Sequence, residues 1–239
     1  MANYSYHKAD TRGRANHGWL NSFHSFSFAE FYDPSRMSFG ALRVLNDDTV
    51  TAGMGFGTHG HSNMEIISIP LEGDLEHADS MGNKEVIRHG DIQVMSAGSG
   101  IKHSEYNHSK TSTVKFLQIW VIPNKLNVTP RYDQITLNIA DRQNRLQQII
   151  SPNETDEGMW IHQNAWFNIG NFDDNAETSY NLKDTQNGVY AFVIKGSFEI
   201  DGHALNSRDG LGISNTEAIK IKATSNDAEI LLMEVPMQF

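Results

Sequence analysis

Ile66-Ile67-Ser68-Ile69-Pro70-Leu71-Glu72-Gly73-Asp74-Leu75-Glu76 reads as a strand, a glycine turn and a return strand. β-Branched apolar residues fill the first run, and Glu-Gly-Asp is turn chemistry. The same rhythm returns at Val189-Tyr190-Ala191-Phe192-Val193-Ile194-Lys195-Gly196-Ser197-Phe198-Glu199. Each copy then reaches Arg/Gly/Asp punctuation, Arg88-His89-Gly90-Asp91 in the first and Ser207-Arg208-Asp209-Gly210 in the second. An internal repeat of this kind is a fold-level signal. Further short apolar runs at 25–28, 42–45, 64–70, 92–95, 114–122 and 190–194 predict strands. Residues 140–150 are the best candidate for a short helical stretch or an amphipathic linker. The expected class is all-β, a duplicated sandwich or barrel, divided into residues 1–134 and 135–239.

The chain has 239 residues, enough to bury a core without covalent staples. It contains no cysteine, which excludes disulfides, iron–sulfur clusters and thiolate nucleophiles and suits a reducing cytoplasm. Neither a membrane span nor an apolar signal segment is expected. The net charge of −10 argues against nucleic acid or an anionic membrane as the main partner. Residues 1–134 carry a net charge of −2 and residues 135–239 one of −8. The near-neutral half holds the candidate site, and the acidic half reads as a solvated face.

That site rests on His59-Gly60-His61 and His103-Ser104-Glu105. Residues i and i+2 of a strand share a face. Two such strands side by side would aim three imidazoles and one carboxylate at one point, the arrangement of a mononuclear metal site. With 11 histidines, chance alone supplies about half a His-x-His per chain, so context must carry the motif. That context is the glycine punctuation before each tract and the apolar strand after the first. Glu65 shares odd parity with His59 and His61, so strand geometry admits both Glu65 and Glu105 as the carboxylate. The donor set suits Fe(II), Mn, Co, Ni, Cu(II) or Zn rather than calcium or a soft-ligand metal. The second copy keeps the frame and lacks the ligands: 189–199 and 211–215 contain no histidine. His77, His89 and His108 read first as polar turn residues, with His77 the one candidate to support a ligand. His162 reads as structural and His203 as an exposed hairpin residue. Phe26, Phe28, Phe56, Met64 and Met95 could line an apolar pocket, although such residues usually form core.

A duplicated barrel with ligands in one half resembles the cupins, whose first motif is matched by Gly53, His59, His61 and Glu65, with Gly73 one residue late. The second motif departs, with Ser96-Ala97-Gly98 in place of Pro-x-Gly and two extra residues before His103. The stretch Ala97-Gly98-Ser99-Gly100-Ile101-Lys102-His103-Ser104-Glu105 is instead similar to the pirin family's Ala-Gly-x-Gly-Ile-x-His-x-Glu. Ser25-Phe26-Ser27-Phe28-Ala29, Leu42-Arg43-Val44-Leu45-Asn46-Asp47-Asp48 and His61-Ser62-Asn63-Met64-Glu65-Ile66 resemble its bacterial branch. The resemblance implies a bicupin of two jelly-roll barrels with one divalent metal, iron by preference, on His59, His61, His103 and Glu105. Glu65 then becomes a partner for an imidazole N–H. Some members of the family are quercetin 2,3-dioxygenases, which implies a flavonol-like substrate, dioxygen, and Glu105 as the base. Another member is an iron-dependent transcriptional cofactor, which implies the alternative: a non-catalytic metal-dependent regulator with a protein partner. A cupin isomerase or sugar-binding protein is a third, weaker option.

Overall fold

The computed structural model describes residues 1–239 and contains β-strands with two short 3-10 turns. The strands form two seven-stranded and two four-stranded sheets. No helix is long and apolar enough to cross a membrane.

The two large sheets pack back to back. Strand alternation explains how. In Val114–Val121, Leu117, Ile119 and Val121 face the joint core between the halves, while Phe116 faces the interior of the first half. In Asn187–Lys195, Tyr190, Phe192 and Ile194 face the joint core, and Val189, Ala191 and Val193 face the interior of the second half. A strand buried on both faces must be apolar almost throughout, and Asn187–Lys195 is buried from its first residue to Ile194.

The two interiors differ. In the second half Phe172, Tyr180, Phe198, Ile200, Leu205 and Ile221 fill the space between the sheets. In the first half the corresponding face of the large sheet carries Ser22, His24, Asn46, Asp48, Ser68 and Gln118, and a cavity opens there.

Two segments cross between the halves. Asn3–His7 joins the large sheet of the second half beside Gly210–Ser214. Arg131–Thr136, which spans the 134/135 boundary, joins the first half's large sheet beside Asp91–Ser96.

One local expectation is narrowed and another is corrected. Residues 140–150 contain no α-helix: a 3-10 turn at Ile139–Arg142 is capped by the Asn138 side chain, and Gln147–Ser151 is a strand. Asn144, at φ 54°, turns the chain between them, so a helix cannot propagate. Residues 25–28 are not a strand either. The strand ends at His24, and the next segment wraps on itself, with the Ser27 hydroxyl donating to the Asp33 carbonyl and accepting from the Asp33 N–H.

Because the second interior is close-packed, Phe198→Ala should lower the unfolding free energy by about 3–5 kcal/mol in a denaturant titration. A loss under about 1 kcal/mol would mean that this interior can collapse around the deletion.

Candidate metal centre

Ile101–Asn107 lies between Gly55–His61 and Leu75–Asp79 in the smaller sheet of the first half. The register sets His103 opposite His59 on one side and Glu105 opposite His77 on the other. A bulge between His103 and Glu105 shifts the pairing with Gly55–His61 by one residue. Two glycines admit close backbone contacts, Gly55 with this strand and Gly98 just ahead of it. A Cβ at Gly55 would collide with the Glu105 carbonyl, and one at Gly98, where φ is +46°, would collide with the Val128 carbonyl.

The three imidazoles of His59, His61 and His103 converge, with ring centroids 4.4–4.9 Å apart and one ring nitrogen from each within 4.8 Å of the others. His59 Nδ1 donates to the Gly57 carbonyl at 2.8 Å, which leaves Nε2 with its lone pair. His61 Nε2 and both nitrogens of His103 are buried without a hydrogen-bond partner. Burial, reinforced by the neighbouring imidazoles, holds His61 down to about 4 and His103 to about 3. Both rings are therefore neutral near pH 7, with lone pairs free for a cation. Unpartnered buried nitrogens call for an explanation, and a divalent metal fits this one.

Glu105 is buried and accepts hydrogen bonds from the Ser68 hydroxyl at 3.0 Å and the Gln118 amide at 2.7 Å. Its carboxylate groups with His77 and His103, again within 4.8 Å. Glu65 lies elsewhere. It opens a strand of the large sheet, accepts from the Ser96 hydroxyl at 2.7 Å and from the His162 backbone, and is pushed up to about 7 by burial. The parity argument fails because Asn63, at φ 50°, turns the chain between His61 and Glu65. Glu65 therefore meets no imidazole N–H.

His77 is not a surface residue. It is fully buried, its Nε2 lies 3.2 Å from Asp79 Oδ2, and its ring packs on His103 and Tyr132. His89 and His108 are exposed, as read from their turns. Beside the imidazoles lies a cavity of about 330 Å³ whose walls include Leu20, Phe28, Phe56 and Trp120. Trp120 sets its edge against His61, with centroids 5.0 Å apart. Phe26, Met64 and Met95 instead belong to apolar core. The sequence reading missed His24, Asn46, Asp48, Ser68, Gln118 and Trp120. Their signal was polar residues at alternate positions of apolar strands, as in Ser22-x-His24 and Asn46-x-Asp48.

Comparison with known proteins bears on this geometry. The family model described as Pirin matches residues 6–121, and the one described as Quercetinase C-terminal cupin domain matches residues 148–235. The quercetin 2,3-dioxygenase of Escherichia coli K12 is 45% identical over 96% of this chain and 97% of its own length. A putative quercetin 2,3-dioxygenase of Pseudomonas aeruginosa is 42% identical over 95% and 97%. The structure of the bacterial pirin YhhW from E. coli in complex with nickel(II) superposes with a TM-score of 0.92 at 43% identity, covering 99% of each chain.

The depressed imidazoles predict how metal-free protein responds to acid. Unfolded histidines protonate below about 6.5, whereas His61 and His103 resist until about 4 and 3. The stability these rings allow is complete above pH 6.5 and is lost as pH falls through that window. Denaturant midpoints of metal-free protein should decline over it, and His103→Gln should flatten the decline. An equally steep decline in the variant would count against the neutral-imidazole account.

Proposed function

The chain belongs to the pirin family, and on that premise we propose that it is a metal-dependent dioxygenase of the quercetin 2,3-dioxygenase type. His59, His61, His103 and Glu105 hold one divalent transition metal, Fe(II) by preference. The observation that carries the proposal is the convergence of three imidazoles, two of them with unpartnered buried nitrogens, beside a cavity that His59, His61 and Glu105 line and that is large enough for a small aromatic ligand. The same N/O donor set accepts nickel, the ion in the E. coli structure. When bound, the metal supplies Lewis acidity and coordination positions for a substrate oxygen and for dioxygen.

The chain's own residues do the rest. His59 is oriented by its hydrogen bond to the Gly57 carbonyl, and His61 and His103 stay neutral, so neither of those two repels a cation. Glu105 is held by Ser68 and Gln118, one donor on each carboxylate oxygen. A carboxylate offers about four acceptor sites, so capacity remains for the metal and for a proton. Glu105 takes the proton of the flavonol 3-hydroxyl, which makes the ring electron-rich enough for oxygen to attack. Phe28, Phe56 and Trp120 supply flat apolar walls that hold an aromatic ring and keep water from it.

Purified protein should carry about one transition-metal ion per chain, as one ligand set requires. His103→Ala should lose it, Glu105→Gln should hold it more weakly, and Glu65→Gln should retain it. Metal retention in the opposite order would return the carboxylate role to Glu65. Fe(II)-loaded protein should bleach quercetin with matching oxygen uptake and carbon monoxide release. In Glu105→Gln protein that still holds metal, turnover should fall by about 10²-fold or more. Metal-loaded protein that binds quercetin without consuming oxygen would replace the enzyme reading with that of a metal-dependent regulator.

A further inference from the structure

The wall of the cavity contributed by Leu20–His24 and Leu42–Val50 has chemistry that the metal does not use. These strands pair antiparallel, with Ser22 opposite Asp48 and His24 opposite Asn46. All four side chains face the cavity, while Leu45 on the alternate parity faces the joint core. His24, Asn46 and Asp48 are each less than 5% exposed. His24 Nδ1, Asn46 Oδ1 and Asp48 Oδ1 have no hydrogen-bond partner. One such atom in a folded interior calls for an explanation; three on two facing strands of one cavity wall make a site.

We propose that His24, Asn46 and Asp48 form a hydroxyl-binding subsite, which selects aromatic ligands that carry phenolic hydroxyls remote from the metal-binding oxygen. The proposal rests on the flavonol reading of the cavity and adds which flavonols it prefers.

The available atoms favour a donor. Asn46 Oδ1 and Asp48 Oδ1 are acceptors, and the imidazole of His24 can accept or donate. Burial pushes Asp48 up to about 7, with Asp47 and Glu105 adding to the rise and the Ser22 hydroxyl opposing it. A carboxyl in that setting welcomes a phenol O–H and disfavours a second anion. His24 is lowered by burial and by Arg12, so it is neutral and lends no charge to a carboxylate ligand. The Phe28 ring lies edge-on to His24, centroids 5.2 Å apart, so an aromatic surface adjoins the polar wall. A flat ring carrying hydroxyls matches both.

The test is an anaerobic titration of metal-loaded protein with quercetin and with 3-hydroxyflavone. Both have the 3-hydroxyl and the neighbouring carbonyl; only quercetin has further hydroxyls. Wild-type protein should bind quercetin at least 10-fold more tightly. Asp48→Leu should weaken quercetin binding about 10-fold and 3-hydroxyflavone less than 2-fold, with metal content unchanged. Asp48→Asn, which keeps an acceptor oxygen, should lose less. Asn46→Ala should shift the ratio in the same direction, so the result does not depend on one variant folding. An unchanged ratio in the variants, or equal binding of the two flavonols by wild-type protein, overturns the subsite. Oxygen uptake, measured separately, distinguishes the two claims. Selective binding without oxygen consumption leaves the subsite standing and removes the dioxygenase. Turnover of quercetin with an unchanged ratio does the reverse. Wild-type protein that binds neither flavonol removes both.

Discussion

Three imidazoles held together, two of them with buried nitrogens that have no partner, are the constraint around which the first half is built. Left alone, a buried nitrogen without a partner costs about 1–3 kcal/mol, and His103 carries two of them. Such a cluster persists only where the surrounding structure over-determines it. The over-determination is visible. Strands pair on both sides of Ile101–Asn107, a bulge shifts the register between His103 and Glu105, and glycines at 55 and 98 admit the backbone contacts. Behind it the joint core between the large sheets supplies apolar burial that the hollow first interior lacks.

The second half shows what the same frame becomes without that demand. Its interior is filled by aromatic and branched aliphatic side chains. It also contains a buried carboxylate, Glu234, which accepts from the Tyr180 hydroxyl at 2.6 Å, the Asn187 amide at 2.8 Å and the backbone N–H groups of Lys183 and Asp184. Glu234 has no acceptor capacity to spare and no histidine in its shell, so it reads as architecture. Glu105 has two donors, and its neighbours within 4.8 Å are imidazoles. Burial is common to both carboxylates; what separates a structural one from a functional one is how many of its lone pairs the fold has already used.

The parts legible in the sequence were those set by local rules. Strand alternation put His59 and His61 on one face of Gly55–His61, and the repeat at 66–76 and 189–199 announced two β units. The chain belongs to the family that the Ala97–Glu105 stretch resembles. Other parts depended on where the chain turns in three dimensions. Parity carried from His61 to Glu65 was lost at one left-handed asparagine. His77 looked like a turn residue because Glu-His-Ala-Asp-Ser is polar, yet its strand is covered on one side by Ile101–Asn107 and on the other by Lys84–Ile87. The alternate polar residues at Ser22, His24, Asn46 and Asp48 were present to be read. Their meaning required knowing that the opposite side of the cavity holds a ligand set.

His77 also links the site to the segment that connects the halves. Burial works to raise Asp79, but the Asn83 amide, His77 and the backbone N–H groups of Asn83 and Met81 outweigh it and lower the carboxyl. An ionised Asp79 can only accept, so His77 donates to it from Nε2, and the buried Nδ1 has no hydrogen-bond partner. The ring is clamped on its face by Tyr132, 4.7 Å away between centroids. Tyr132 stands on Arg131–Thr136, the strand that leaves the first half for the second, and Arg131 on that strand donates to the Trp160 carbonyl and covers the Trp160 ring at 4.0 Å. Packing at the junction is thereby coupled to the orientation of the imidazole beside His103 and Glu105. The second half still bears on the site, because Trp160 holds Arg131, the residue next to the Tyr132 that packs on His77.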